Sequence, residues 1–185
     1  GVTNKEQLKD EIARICSQRM LEHIIFETTG DDDENLIRKD LERFKPQVVV
    51  VAGGDGTVNM VSRLLINTDF ILGIIPQGSG NGLAKDLNIP LNEMEALKVV
   101  FAQNLKAIDT LMINEHPSFH ISDIGFNALV VKAFSEKNFR GQLAYAIALF
   151  QKFFKYKPKR YAIKTDQNTY KDNAFMVAIA NANQF

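Results

Sequence analysis

Five small or β-branched apolar residues in a row, Val48-Val49-Val50-Val51-Ala52, run directly into Gly53-Gly54-Asp55-Gly56-Thr57-Val58-Asn59. An unbroken run of that kind fits a strand buried on both faces, the habit of a central parallel sheet. Beyond the glycines, Val58, Val61, Leu64 and Leu65 recur at helical spacing. The segment therefore reads as strand, glycine turn and a helix opening at about Thr57. Glycines allow positive φ and let a ligand approach where a Cβ would block it. A helix N-terminus behind such a turn points unpaired N–H groups into the same space, which suits a phosphate. Asp55 is the one acid there. An anion-binding turn has no need of a carboxylate, so Asp55 is expected to hold a cation or take a proton.

Two common nucleotide motifs do not fit. A P-loop requires G-x-x-x-x-G-K-[ST], and no glycine in the chain is followed by lysine. A dinucleotide fingerprint requires G-x-G-x-x-G. The stretch from Gly54 ends at Asn59, and Gly78-Ser79-Gly80-Asn81-Gly82 places its third glycine one position early.

A different pair does fit. Gly-Gly-Asp-Gly-Thr-Val-Asn at 53–59 is followed by Pro76-Gln77-Gly78-Ser79-Gly80-Asn81-Gly82-Leu83-Ala84-Lys85. The first motif alone is shared with NAD kinases and resembles the phosphofructokinase loop. With the second, the chain resembles the diacylglycerol kinase catalytic domain, a lipid kinase family that includes bacterial diacylglycerol kinases, sphingosine kinases and ceramide kinases.

Composition narrows the class. Among 185 residues, 22 Lys and Arg balance 22 Asp and Glu, so no global charge calls for nucleic acid. No apolar run approaches the roughly 20 residues of a spanning helix, so no transmembrane segment is expected. The single cysteine, Cys16, falls in a helical pattern with Ile12 and Ile15 and reads as a packed thiol. These features suggest a cytoplasmic protein, and the resemblance implies a peripheral seat at the inner membrane surface, where a lipid substrate lies.

Along the chain, residues 4–20 read as a helix with Asn4 as cap and Leu8, Ile12, Ile15 and Met20 on one face. His23–Thr28 reads as a strand. The acidic run 31–34 then opens a helix with Leu36, Ile37, Leu41 and Phe44 inward, and helix N-termini favour acids. Further elements are a strand over 70–75, a short helix over 83–87 and a helix over 92–104 capped by Asn92. This alternation predicts an α/β domain over residues 1–104, a parallel sheet with helices on both faces and ligands at the carboxyl ends of the strands. After about Leu105 the texture changes. Strands at 106–113, 119–124, 160–165 and 174–180, with helices near 127–136 and 140–156, predict the start of a mainly antiparallel β domain over 105–185.

The resemblance implies more. The family begins with a strand ending in Asn-Pro-x-Ser-Gly, of which Gly1 matches the last glycine, and it continues past Phe185. A full gene product longer at both ends is expected. The family places a threonine near the nucleotide at the end of its second strand, which here is Thr28. Gly53, Gly54, Gly56, Gly78 and Gly80 would cradle ATP phosphates, with Thr57, Asn59, Ser79 and Asn81 at the same mouth. Asp55 is the candidate catalytic carboxylate, as proton acceptor or as part of a Mg2+ site. Blander roles stay open: a turn bond for Asn59, helix capping for Asn81, solvation for Lys85 and a structural bond for Asp109. His23, His116 and His120 show no ligand spacing, and Gly73 no role.

The substrate side rests on eight basic residues and no acid between Lys137 and Lys164, interleaved with Phe150, Phe153, Phe154, Tyr156 and Tyr161. A basic, aromatic-rich helix suits an anionic membrane surface. A core-facing helix with a solvated basic rim is the alternative. Three positions depart from the family. Met60 replaces the usual glutamate, Gly82 stands where bacterial diacylglycerol kinases often carry aspartate and sphingosine-type members a small residue, and Leu129 stands where sphingosine kinases place an acid. The expected function is ATP-dependent phosphorylation of a diacylglycerol-like or long-chain lipid. A kinase of a soluble substrate such as NAD, or a catalytically weak nucleotide- or lipid-binding protein, is the alternative. The lipid and the oligomeric state are not legible.

Overall fold

The structure, a computed structural model, describes residues 5–126, 128–129, 153 and 156–181. The chain forms two units, divided in sequence between His120 and Ile121. In the first, the apolar run becomes β1 (Val48–Gly53), paired in parallel with β2 (Ile71–Pro76) from Val48 opposite Ile71 to Gly53 opposite Pro76. Parallel neighbours need a crossover, and α3 (Asp55–Leu64) supplies it. This helix starts two residues earlier than the apolar spacing suggests. The reason is that Gly54, in extended conformation, already offers its carbonyl to the Val58 N–H at 3.0 Å.

Period-two alternation in β2 divides the core. Leu72 and Ile74 join Val49 and Val51 of β1, Val58, Val61 and Leu64 of α3, and Ile37 and Leu41 of α2 (Asp33–Phe44). Ile75, fully buried, turns the other way onto Leu8 of α1 (Lys5–Gln18) and onto Ala96 and Leu97 of α5 (Glu93–Ala102). Helices thus cover both faces of the strand pair, in a mixed α/β unit. Gly73 acquires a role here: a Cβ would lie 3.0 Å from Val100 Cγ2, so its absence lets α5 settle against β2. Asn92 caps α5 as expected, its Oδ1 accepting from the N–H groups of Met94 and Glu95. Cys16 is buried, and that burial pushes its thiol pKa up.

Several expectations are corrected. The segment 23–28 is not a strand: β1 pairs with β2 alone among the described residues, which leaves 23–28 no ladder to join. Phe26 still packs on the core, while Ile24 and Ile25 are half exposed. Val50 is 40% exposed, because α5 covers β2 and leaves this part of β1 at the margin. Helix α1 ends at Gln18, and Met20, at φ 53°, is almost fully exposed rather than on the buried face. Leu36 is exposed on the outer flank of α2. The strand expected over 106–113 shrinks to β3 (Leu111–Ile113), which forms a tight antiparallel pair with β4 (His116–Ser118) across Asn114 and Glu115, both at positive φ.

In the second unit, β5 (Ile121–Gly125) pairs antiparallel with β8 (Met176–Ala180), and β6 (Lys159–Lys164) with β7 (Thr169–Ala174). Strand β7 was missed because Thr169-Tyr170-Lys171-Asp172-Asn173 carries no apolar alternation. Phe126, Phe153, Tyr156 and Phe175 form an aromatic cluster with ring centroids 4.8–5.6 Å apart. Most of the helices expected at 127–136 and 140–156, with most of the basic aromatic segment, lie outside the described residues. Among the described residues, no helix is long and apolar enough to cross a membrane.

The acidic run before α2 has a structural use. Asp33 is buried and accepts from the N–H groups of Thr29 (2.9 Å) and Gly30 (2.8 Å) and from the Thr29 hydroxyl (3.2 Å). The Thr29 amide first, then the Gly30 amide, hold its carboxyl pKa below the ordinary value. A group more acidic folded than unfolded stabilises the fold above its unfolded pKa of about 3.9 and loses that effect as pH falls through the folded value. Asp33→Ala is therefore expected to lower the urea midpoint at pH 7. The gap to wild type should close as the pH drops below about 3.9; a gap that does not change with pH would show the carboxylate charge to be irrelevant.

Candidate functional site

The parallel register delivers two loops to the same edge of the strand pair. Gly53 lies opposite Pro76, and the Gln77 N–H continues the ladder to the Gly53 carbonyl at 2.9 Å. The chains then separate into Gly54–Gly56 and Gly78–Gly82. A Cβ on Gly78 would sit 2.6 Å from the Gly54 Cα, and one on Gly54 would sit 3.1 Å from the Gly78 Cα. The two backbones are in contact, which only glycine at both positions permits. Positive φ, expected of these glycines, is not used by any of them. The left-handed residue of the site is Asn81, at φ 53°.

Asn81 also corrects the capping alternative. It precedes α4 (Gly82–Asp86) but makes no side-chain cap bond. Its Oδ1 accepts from the Gly78 N–H at 2.8 Å and its Nδ2 donates to the Gly78 carbonyl at 2.7 Å. One side-chain amide thus closes the second loop by mimicking a backbone partner, as short amide side chains do in turns.

Asp55, the first residue of α3, links the two loops. Its Oδ1 accepts from the Gly82 N–H at 2.7 Å, and a Cβ on Gly80 would lie 2.6 Å from its Oδ2. The carboxylate therefore lies along the backbone of residues 80–82 and remains exposed to solvent. Thr57 packs back on Gly53, whose added Cβ would lie 2.8 Å from the Thr57 Cβ. Asn59 is exposed one helical turn beyond Asp55, on the same side of α3. Ser79 and Gly80 are exposed on the second loop, and Lys85 on α4. Gly56 differs from its neighbours, because a Cβ there would meet nothing within 4 Å. The N–H groups of residues 55–57 have no partner a turn back, as at any helix start. Gly56 is thus open to solvent at the positive end of α3.

Thr28 stands apart. It is exposed at the entrance to the Thr29–Asp33 turn and makes no hydrogen bond to either loop among the described residues. Met60 packs against the core rather than serving the loop mouth. His120 was missed: a Cβ on Gly82 would lie 2.9 Å from its Nδ1 and Cε1. A lone histidine far along the chain carries no sequence signal for such a contact. Among the described residues, no three of His, Cys, Asp and Glu gather as a metal cluster. A surface groove of about 360 Å³ between α1 and α5, lined by Arg14, Ile15, Arg19, Lys98 and Phe101 among others, shares no residue with the loops. Its cations are engaged, Arg14 with Glu11, Lys98 with Glu95 and Arg19 with the Phe101 carbonyl and ring.

Comparison with known proteins gives the family. Residues 1–113 match the model of the diacylglycerol kinase catalytic domain. An uncharacterized protein of Synechocystis sp. is 35% identical over 136 residues, covering 72% of this chain and 31% of its own. The lipid kinase YegS of Escherichia coli strain K12 is 26% identical over 189 residues, covering 98% of this chain and 63% of its own length. The chain thus spans less than two thirds of these relatives. A crystal structure of a diacylglycerol kinase from Bacillus anthracis str. Sterne superposes with a TM-score of 0.70 at 22% identity, covering all of this chain and 61% of the other, a likeness of fold. The interlocked glycine loops and the matched domain lead to one conclusion: the chain belongs to the diacylglycerol kinase catalytic domain family.

Proposed function

We propose that the chain forms the nucleotide-binding core of an ATP-dependent lipid kinase that phosphorylates a hydroxyl of a diacylglycerol-like or long-chain lipid. The observation that carries this reading is the meeting of two glycine loops around Asp55, with open space over Gly56 at the start of α3. Backbone N–H groups of 55–57, with Thr57, Asn59 and Ser79 nearby, suit the phosphates of ATP. Phosphoryl transfer asks the protein mainly for positioning and charge neutralisation. The lipid hydroxyl oxygen bonds to the γ-phosphorus, the bond from that phosphorus to the ADP oxygen breaks, and the hydroxyl proton passes to the Asp55 carboxylate. Because Oδ1 is held by the Gly82 amide, Oδ2 is the oxygen for that proton.

Mg2+ would come with the nucleotide, on phosphate oxygens and water with one carboxylate, and would neutralise charge on the transferring group. Asp55 would hold the ion through Oδ2 only in place of the proton, so its two roles are alternatives. The basic, aromatic composition from Lys137 to Lys164 suits an anionic membrane surface, where a lipid substrate would lie. The described part of that segment offers Lys157, Lys159, Arg160 and Lys164. One observation favours a second reading, a catalytically weak nucleotide-binding protein: Met60, where the family carries glutamate, is committed to core packing.

Labelled-phosphate transfer from ATP with Mg2+ onto a panel of mixed-micelle lipids tests the proposal. A labelled lipid is expected. Asp55→Asn, which keeps an acceptor for Gly82 and so the loop contact, should lower transfer by about 10²- to 10⁴-fold. Label on NAD and on no lipid would move the acceptor to a soluble one. ATP binding without any product would favour the weak-binding reading.

The loops give a paired prediction. Gly56→Ala should leave the melting temperature unchanged or raise it, yet weaken ATP binding by about tenfold or more, since one phosphate contact is worth about 1.4 kcal/mol. Gly78→Ala, pressed against the Gly54 backbone, should instead destabilise the fold by about 1–3 kcal/mol. Calorimetric melting and ATP titration of both variants distinguish a ligand-facing glycine from a packing glycine.

A further inference from the structure

His120 enters the site from outside both loops. Its neighbour Phe119 is buried in the same cluster as Leu83 and Ala84 of α4, which fixes the chain beside the start of that helix. The place a Cβ would occupy at residue 82 is 2.9 Å from His120 Nδ1, 2.9 Å from its Cε1 and 3.8 Å from Asp55 Oδ1. The imidazole therefore takes the space of a side chain at position 82. The amide of that residue, donating at 2.7 Å, orients the Asp55 carboxylate. An exposed amide–carboxylate bond competes with water at either end. A ring lying on the glycine shields that bond and limits the angles Gly82 can adopt.

We infer that His120 is a positioning residue for Asp55, acting through Gly82. Its ring holds the Gly82 amide on Oδ1 and so leaves Oδ2 free. The inference rests on reading Asp55 as the working carboxylate. It also gives Gly82 a reason to lack a side chain, since even a methyl group would push the ring aside.

Amide hydrogen exchange at Gly82, followed by NMR in the full chain beside the kinetics of phosphate transfer, tests this. Asp55→Ala and His120→Ala should each speed Gly82 exchange by roughly tenfold, the worth of one net hydrogen bond. His120→Phe, which keeps a ring on the glycine, should restore protection. In His120→Ala, kcat should fall while KM for ATP and the melting temperature hold. Gly82→Ala should show the same kcat loss, and adding His120→Ala, which makes room for the methyl group, should recover part of it. Unchanged Gly82 exchange in His120→Ala overturns the inference, as does faster exchange with wild-type kcat. If the unmodified protein transfers no phosphate, the kinase reading falls and the exchange rates alone decide whether His120 sets Asp55.

Discussion

The site depends on two strand ends lying close enough for their backbones to touch. Adjacent strands run about 4.8 Å apart, and the bond from the Gln77 amide to the Gly53 carbonyl carries that spacing one step past the sheet. The loops leaving β1 and β2 therefore start too close together for any Cβ to stand between them. Gly54 and Gly78 follow from this spacing, and so does the reach of Asp55 onto the second loop. A one-residue slip in the pairing would move every side chain to the opposite face. Ile74 and Ile75 would then exchange clusters, so the split core defends the register on which the loops rely.

This arrangement separates the glycines by purpose. Gly73 lies under α5, Gly54 and Gly78 lie against each other, Gly80 lies against Asp55, and Gly82 lies under His120. Each of these is explained by protein packing alone. Gly56 is not: a side chain there would meet open space at the first turn of a helix, and this is the glycine to which our proposal gives a ligand. A motif rich in glycine thus need not be rich in ligand contacts.

Much of the first unit was legible in the sequence. The apolar run, the glycine turns and the Asn92 cap are short-range signals, and β1, β2, α3 and α5 followed from them. The segment 23–28 was not readable in the same way, because a strand exists only where a neighbour offers hydrogen bonds, and periodicity says nothing about neighbours. The polar hairpin strand β7 failed for the opposite reason: its partner β6 supplies the pairing that its own residues do not advertise. At the site, the motifs named Asp55 and both loops. The reciprocal amide pair of Asn81 and Gly78, and the seat of His120 on Gly82, depend on rotamers and long-range placement. No spacing rule encodes them.

Two aspartates show why motif and environment must be read together. Asp33 and Asp55 both open helices, where a negative charge is electrostatically favoured. Asp33 is buried, and both of its oxygens accept N–H groups from the preceding turn. Such a carboxylate is held ionised and has no free oxygen for a substrate. Asp55 is exposed, and one oxygen bonded to an amide fixes its orientation while the other faces a glycine that presents no side chain. A proton acceptor in phosphoryl transfer needs this asymmetry, since it must be rigid enough to align and still able to accept. Of the two, the acid in the cluster of acids at 31–34 serves the fold, and the isolated acid among glycines is the one we propose for chemistry.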